Sequence, residues 1–73
     1  VAAREALRRG EILPLTRILA VAQRAEPGDV IEVELDRNRE GWRYKVKVLT
    51  PGGRVRKLRI DARTGAVLEV KDD

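Results

Sequence analysis

From Val30 to Val48 the chain changes side-chain character at nearly every residue, and its two halves carry opposite charge. In the first half Ile31, Val33 and Leu35 alternate with Glu32, Glu34 and Asp36; in the second Trp42, Tyr44, Val46 and Val48 alternate with Arg43, Lys45 and Lys47. A period of two sends alternate side chains to opposite faces of a strand, so both halves read as half-buried β-strands. If "NREG" (Asn38 to Gly41) is a four-residue hairpin loop, Leu35 falls opposite Tyr44, Val33 opposite Val46 and Ile31 opposite Val48. The same register sets Asp36 against Arg43, Glu34 against Lys45 and Glu32 against Lys47. A slip of one residue would turn the whole apolar set outward, which ties the hairpin to this pairing.

The pattern continues downstream. In "TPGGR" Pro51 suits the first central turn position and the two glycines supply any positive φ. A three-residue loop there sets Val46 against Leu58, Tyr44 against Ile60, and Leu49 against Val55 on the outer face, with a third strand from about Arg54 to Asp61. "DARTG" (Asp61 to Gly65) is the next turn, with Gly65 left-handed and Asp61 accepting hydrogen bonds from the loop backbone. The fourth strand runs from Ala66 to about Lys71. Val67, Leu68 and Val70 do not alternate cleanly, and a bulge at Gly65 would put Leu68 beside Leu58 and Lys57 beside Glu69. The closing "KDD" reads as a frayed tail.

Upstream the period is helical. "AAREALRR" (residues 2–9) consists of good helix formers and ends at Gly10, which can take the left-handed position beyond a helix. A longer helix, about 14–25, starts at Pro14 as its first residue, carries Leu15, Ile18, Leu19, Ala22 and Ala25 on one stripe, and ends at "EPGD". That stripe is the available cover for the apolar sheet face. The expected fold class is therefore α+β: a short and a longer N-terminal helix packed on one face of a four-stranded antiparallel meander, as a single domain over residues 1–73.

Composition narrows the chemistry. The chain has no Cys and no His, which excludes disulfides, Cys/His zinc sites and His-based acid–base catalysis. Charged residues make up 38% of it, but 42% hydrophobic content is too high for disorder. No apolar run approaches the ~20 residues of a membrane-spanning helix, and no signal peptide is visible. A start at Val1 rather than Met is compatible with removal of an upstream export or anchor segment.

No residue pattern points to catalysis. Gly52 and Gly53 lie in a hairpin turn rather than opening a helix, and Thr16, Thr50 and Thr64 lack a familiar base. Glu32, Glu34 and Asp36 share a strand face that could bind a hard cation, but facing Arg43, Lys45 and Lys47 they read as neutralised pairs. Trp42 and Tyr44 share parity with Val46 and Val48, which makes them core residues rather than base-stacking ones, with Trp42 near the sheet end. No enzyme activity, cofactor or metal is expected. The candidate partner-binding surface is the basic outer face: Arg43, Lys45, Lys47 and Leu49, followed by Arg54, Val55, Arg56, Lys57 and Arg59. The open edges of the first and last strands are further places for a partner strand.

The order of "GEILPL" (Gly10 to Leu15), "PGDVIEVELDR" and "DARTGAVLEV" (Asp61 to Val70) resembles a small stand-alone PepSY-domain protein over almost the whole chain. The resemblance implies an exported bacterial domain, periplasmic or secreted, related to the PepSY module in propeptides of thermolysin-type metallopeptidases. It also implies a binding module of the cell envelope whose partner is a protein, a peptidase to be inhibited or regulated or another envelope protein. No catalytic or metal-binding residue is carried over. Two rival readings stand beside it: a polyanion-binding domain using the basic face, with nucleic acid the less favoured ligand, and a self-associating domain, such as a homodimer.

Overall fold

In the computed structural model, which describes residues 2–73, the elements in chain order are α1 (Ala2–Arg8), α2 (Leu15–Ala25), β1 (Asp29–Asn38), β2 (Gly41–Leu49), β3 (Val55–Asp61) and β4 (Val67–Asp72). The strands form one antiparallel meander in the order β1-β2-β3-β4, and the longer helix contacts the sheet, as expected. Gly10 takes φ 75 after α1. Pro14 is the N-cap of α2, one position before the helix, and its carbonyl accepts from the N–H groups of Arg17 (3.0 Å) and Ile18 (3.3 Å).

The β1–β2 pairs Val33–Val46, Leu35–Tyr44, Glu32–Lys47, Glu34–Lys45 and Asp36–Arg43 all form, and pairing continues to Asn38–Gly41 so that only Arg39 and Glu40 turn the hairpin. The expected Ile31–Val48 pair does not form. Val30 takes that place and a bulge expels Ile31, which is 53% exposed. Val30 and Ile31 are adjacent apolar residues, so alternation alone could not choose between them; the bulge resolves the conflict by giving the inner face to one.

Between β2 and β3 the expected register holds throughout, including Val46–Leu58, Tyr44–Ile60 and Leu49–Val55. Thr50 N–H donates to Arg54 O (2.8 Å) and closes a three-residue loop, Pro51 to Gly53. The Asp61 turn also forms as expected: its Oδ1 accepts from Arg63 N–H (2.8 Å) and Thr64 N–H (3.2 Å), and Gly65 has φ 81. β4 sits in another register. Leu58 faces Val70, Lys57 faces Lys71 and Arg59 faces Glu69, with the irregularity at Leu68 rather than Gly65. Leu68 is consequently exposed beside the edge instead of lying against Leu58.

The core is the strip Tyr44, Val46, Val48, Leu58 and Ile60 with Ala62, covered by Ile18 and Ala22 and closed at one end by Ala6 and Ile12. α2 approaches β2 and β4, straddling β3. A single helix is about 10 Å wide and strands lie ~4.8 Å apart, so the sheet margins stay thinly covered. Val33, Leu35 and Trp42 are only half-buried, Val67 and Val70 are exposed, and on the helix Leu15 and Ala25 are exposed although they extend the expected stripe.

Backbone contacts anchor both ends of the helix. Leu13 N–H donates to Ala62 O (2.6 Å), and the Tyr44 hydroxyl donates to Leu13 O (3.3 Å). Beyond the C-terminus, the Gln23 amide donates to Gly28 O (2.7 Å) and accepts from Gly28 N–H (3.3 Å). Gly28 lies so close to β2 that a Cβ would collide with Leu49 O and stand 2.8 Å from Val48 Cγ1. Gly28→Ala should therefore destabilise the fold by ~1–3 kcal/mol, as overpacking does. In Gly52→Ala the Cβ meets nothing nearer than Thr50 Oγ1 at 3.9 Å, so its urea midpoint should stay close to the parent's; comparing the two midpoints checks the assignment.

Candidate interaction surface

Residues of odd number on β2 and β3 point away from α2, and pairing extends that face onto β1 and β4. It carries Asp29, Glu32, Glu34, Asp36, Asp61, Glu69 and Asp73 against Arg43, Lys45, Lys47, Lys57, Arg59 and Lys71. Seven acids meet six bases, so the run of cations in β2 and β3 forms the middle of a nearly balanced surface.

The pairings are specific. Lys45 reaches Asp36 (3.6 Å) and Lys47 reaches Glu32 (3.7 Å), while Arg43 bonds Asn38 Oδ1 (3.1 Å) and lies 3.6 Å from Glu40. Several of these contacts are diagonal, which long side chains on adjacent strands permit. Among the described residues Glu34 makes no ion pair, because Lys45 has leaned to Asp36. Arg59 stands 4.0 Å from Glu69.

The closing "KDD" is ordered and supplies the missing counter-charge. Asp73 N–H donates to Val55 O (3.1 Å), and the Asp73 carboxylate reaches Lys47 (3.2 Å) and Lys57 (3.9 Å). Asp72 takes Arg54 (2.5 Å) and Arg56 (2.7 Å). The expected frayed tail is thus an added strand end, held because its two carboxylates face the cations of β3.

Arg56 does not belong to the outer face. It pairs with Val48, shares parity with Leu58 and Ile60, and sits on the covered side, where its guanidinium bridges Asp72 and Glu26 (3.5 Å) at the C-cap of α2. It acts as a clamp between helix and sheet. Leu49 and Val55 remain as an apolar pair within the charged field, Leu49 at 37% exposure. The candidate residues of the outer face therefore come together as Arg43, Lys45, Lys47, Leu49, Val55, Lys57 and Arg59; Arg54 lies at its margin, paired to Asp72.

The unpaired positive charge is elsewhere. Among the described residues, Arg4, Arg17 and Arg24 lie on the helices and Arg39 and Arg63 in turns, none within ion-pair distance of an acid, while Arg37 stands over the Trp42 ring at 5.3 Å. Trp42 also borders a cleft of about 500 Å³ with Glu11, Glu40, Asp61 and Thr64. Sequence reasoning missed this cleft, since it depends on three separate loops meeting at one sheet end. Among the described residues no acidic group is arranged to hold a metal ion, and no side-chain polar atom is buried without a partner.

A family model described as PepSY, peptidase propeptide and YPEB domain, matches residues 12–71. No curated protein and no solved structure matched the chain.

The tail contacts give the stability of the fold a pH dependence. Hydrogen bonding to Arg56, with further attraction from Arg54, lowers the Asp72 carboxyl below its ordinary 3.8. A depressed carboxylate stabilises the fold fully above its unfolded value, and that contribution disappears as pH falls through the folded value. Asp72→Asn should thus flatten the fall in thermal midpoint below about pH 4 relative to the parent. Melting curves across the acid range measure this directly.

Proposed function

The chain belongs to the PepSY family, and from that premise we propose that it is a non-enzymatic binding module of the bacterial cell envelope that engages a protein, a secreted peptidase in the first instance, and restrains or regulates it. The observation that carries the reading is the match over residues 12–71 to a family whose description includes peptidase propeptides. The chemistry of the surface supports it. Among the described residues no charged side chain is buried, and the one buried phenol, Tyr44, spends its hydroxyl on a hydrogen bond to Leu13 O (3.3 Å). Burial is the means by which proteins shift catalytic groups most strongly.

The outer sheet face is the proposed contact. Leu49 and Val55 offer apolar area, and the surrounding balanced charges suit a protein surface that presents both signs. Balance also weighs against a polyanion as ligand there, since binding through counterion release needs cations free of acidic partners. Periplasmic or secreted placement belongs to the same proposal, because a partner peptidase would be met there.

Secreted peptidases of the source organism, tested one by one by calorimetry and inhibition assay, should include at least one bound by this chain. Leu49→Asp, which places a carboxylate at an exposed site, should weaken that binding by roughly tenfold or more, the loss typical of a central interface residue. Absence of binding to every peptidase would remove the peptidase from the proposal.

A further inference from the structure

The two sheet edges differ in what they would meet if each paired with itself. Asp73 N–H bonds Val55 O (3.1 Å), so odd-numbered residues of β4 direct their backbone groups to β3, and Val70 and Asp72 turn theirs outward. Around Val70 the strand reads Leu68, Glu69, Val70, Lys71, Asp72, and its exposed apolar residues are Val67, Leu68 and Val70. The irregularity at Leu68 lies at the start of the strand and leaves Glu69 onward regular.

We propose that β4 is a homodimerisation edge: two copies pair their β4 strands antiparallel about a twofold axis through Val70, joining the two sheets into one. In this register Val70 meets Val70 as a hydrogen-bonded pair. Glu69 of each copy then faces Lys71 of the other on the outer side, as a non-hydrogen-bonded pair whose side chains approach closely. The axis stands normal to the sheet, so both α2 helices lie on the same side and the exposed Val67 and Val70 of both copies share one patch.

Charge selects this arrangement over its neighbours. An axis through Lys71 sets Lys71 against itself and Glu69 against Asp73, and an axis through Glu69 sets Glu69 against itself. On the other edge, the pairing of β1 with β2 leaves Val33 and Leu35 with outward backbone groups. Self-pairing about Val33 opposes Glu32 to Glu34, and about Leu35 opposes Glu34 to Asp36. Like charges directly opposite each other destabilise a strand pair. The exposed, expelled Ile31 further interrupts β1. One edge repels its own copy, and the other complements it.

Sedimentation equilibrium of the full chain at low salt, up to millimolar concentration, should show a monomer–dimer equilibrium. Lys71→Glu should weaken it by roughly tenfold or more, and the double exchange Glu69→Lys with Lys71→Glu should restore it, because opposite charges again face each other. Circular dichroism establishes that each variant is folded. Val70→Lys, which sets like charges on the axis at an exposed residue, is a second variant that should also give a monomer. A parent that stays monomeric at every concentration would overturn the proposal. So would a dimer indifferent to Lys71→Glu and Val70→Lys, or a mass that grows without limit, the mark of head-to-tail pairing between β4 and β1. None of these readings depends on a peptidase being present.

Discussion

The packing of Ile18 and Ala22 onto the strip Tyr44, Val46, Val48, Leu58 and Ile60 is the contact on which the rest of the structure depends. A domain of this size buries only about 60% of the surface its unfolded chain exposes. Each large aliphatic residue taken fully from water contributes roughly 1.5–3 kcal/mol, and few are fully buried here. The position of one helix therefore decides stability. Leu13 fixes where α2 begins, its N–H donating to Ala62 O and its carbonyl accepting from the Tyr44 hydroxyl, while Arg56 and the Gln23–Gly28 bracket fix where it ends. With its beginning and end held against the sheet, the helix has little freedom to slide off the strip.

Electrostatics plays a different part. The outer face is a mosaic of exposed ion pairs, each contributing only ~0–1 kcal/mol. Their greater effect is on choice of partner strand. Acidic β1 suits basic β2, and the two terminal aspartates suit the cations of β3. The alternation of side chains then keeps the apolar surface under the helix.

Much of the architecture was legible because two independent patterns agreed. Apolar pairs and acid–base pairs demanded one register for β1 and β2, and the Pro-Gly-Gly loop carried it unchanged to β3. The failures cluster where neighbouring apolar residues compete for one inward position: Val30 with Ile31, and Val67 with Leu68. At such places a bulge costs little, and tertiary packing chooses. The surface was harder to read than the fold. The cationic ribbon is visible in the sequence, but its neutralisation by Asp72 and Asp73 depends on β4 continuing to the end of the chain. Arg56 looks like part of the ribbon until its pairing with Val48 turns it inward. The Trp42 cleft left no local signal because its walls come from separate loops.

The meander has a kinetic consequence. Every strand pairs with its neighbour in sequence, and the first two hairpins close through the short turns Arg39–Glu40 and Pro51–Gly53. Short closures carry a small entropic cost, and contacts between near neighbours in the chain accompany fast folding. The helix stands apart from this: it precedes the sheet in the chain yet needs a completed strip of β2 and β3 before Ile18 and Ala22 have a surface to bury against. Docking of α2 is thus the most non-local event in the molecule, and the one whose chain closure costs the most entropy.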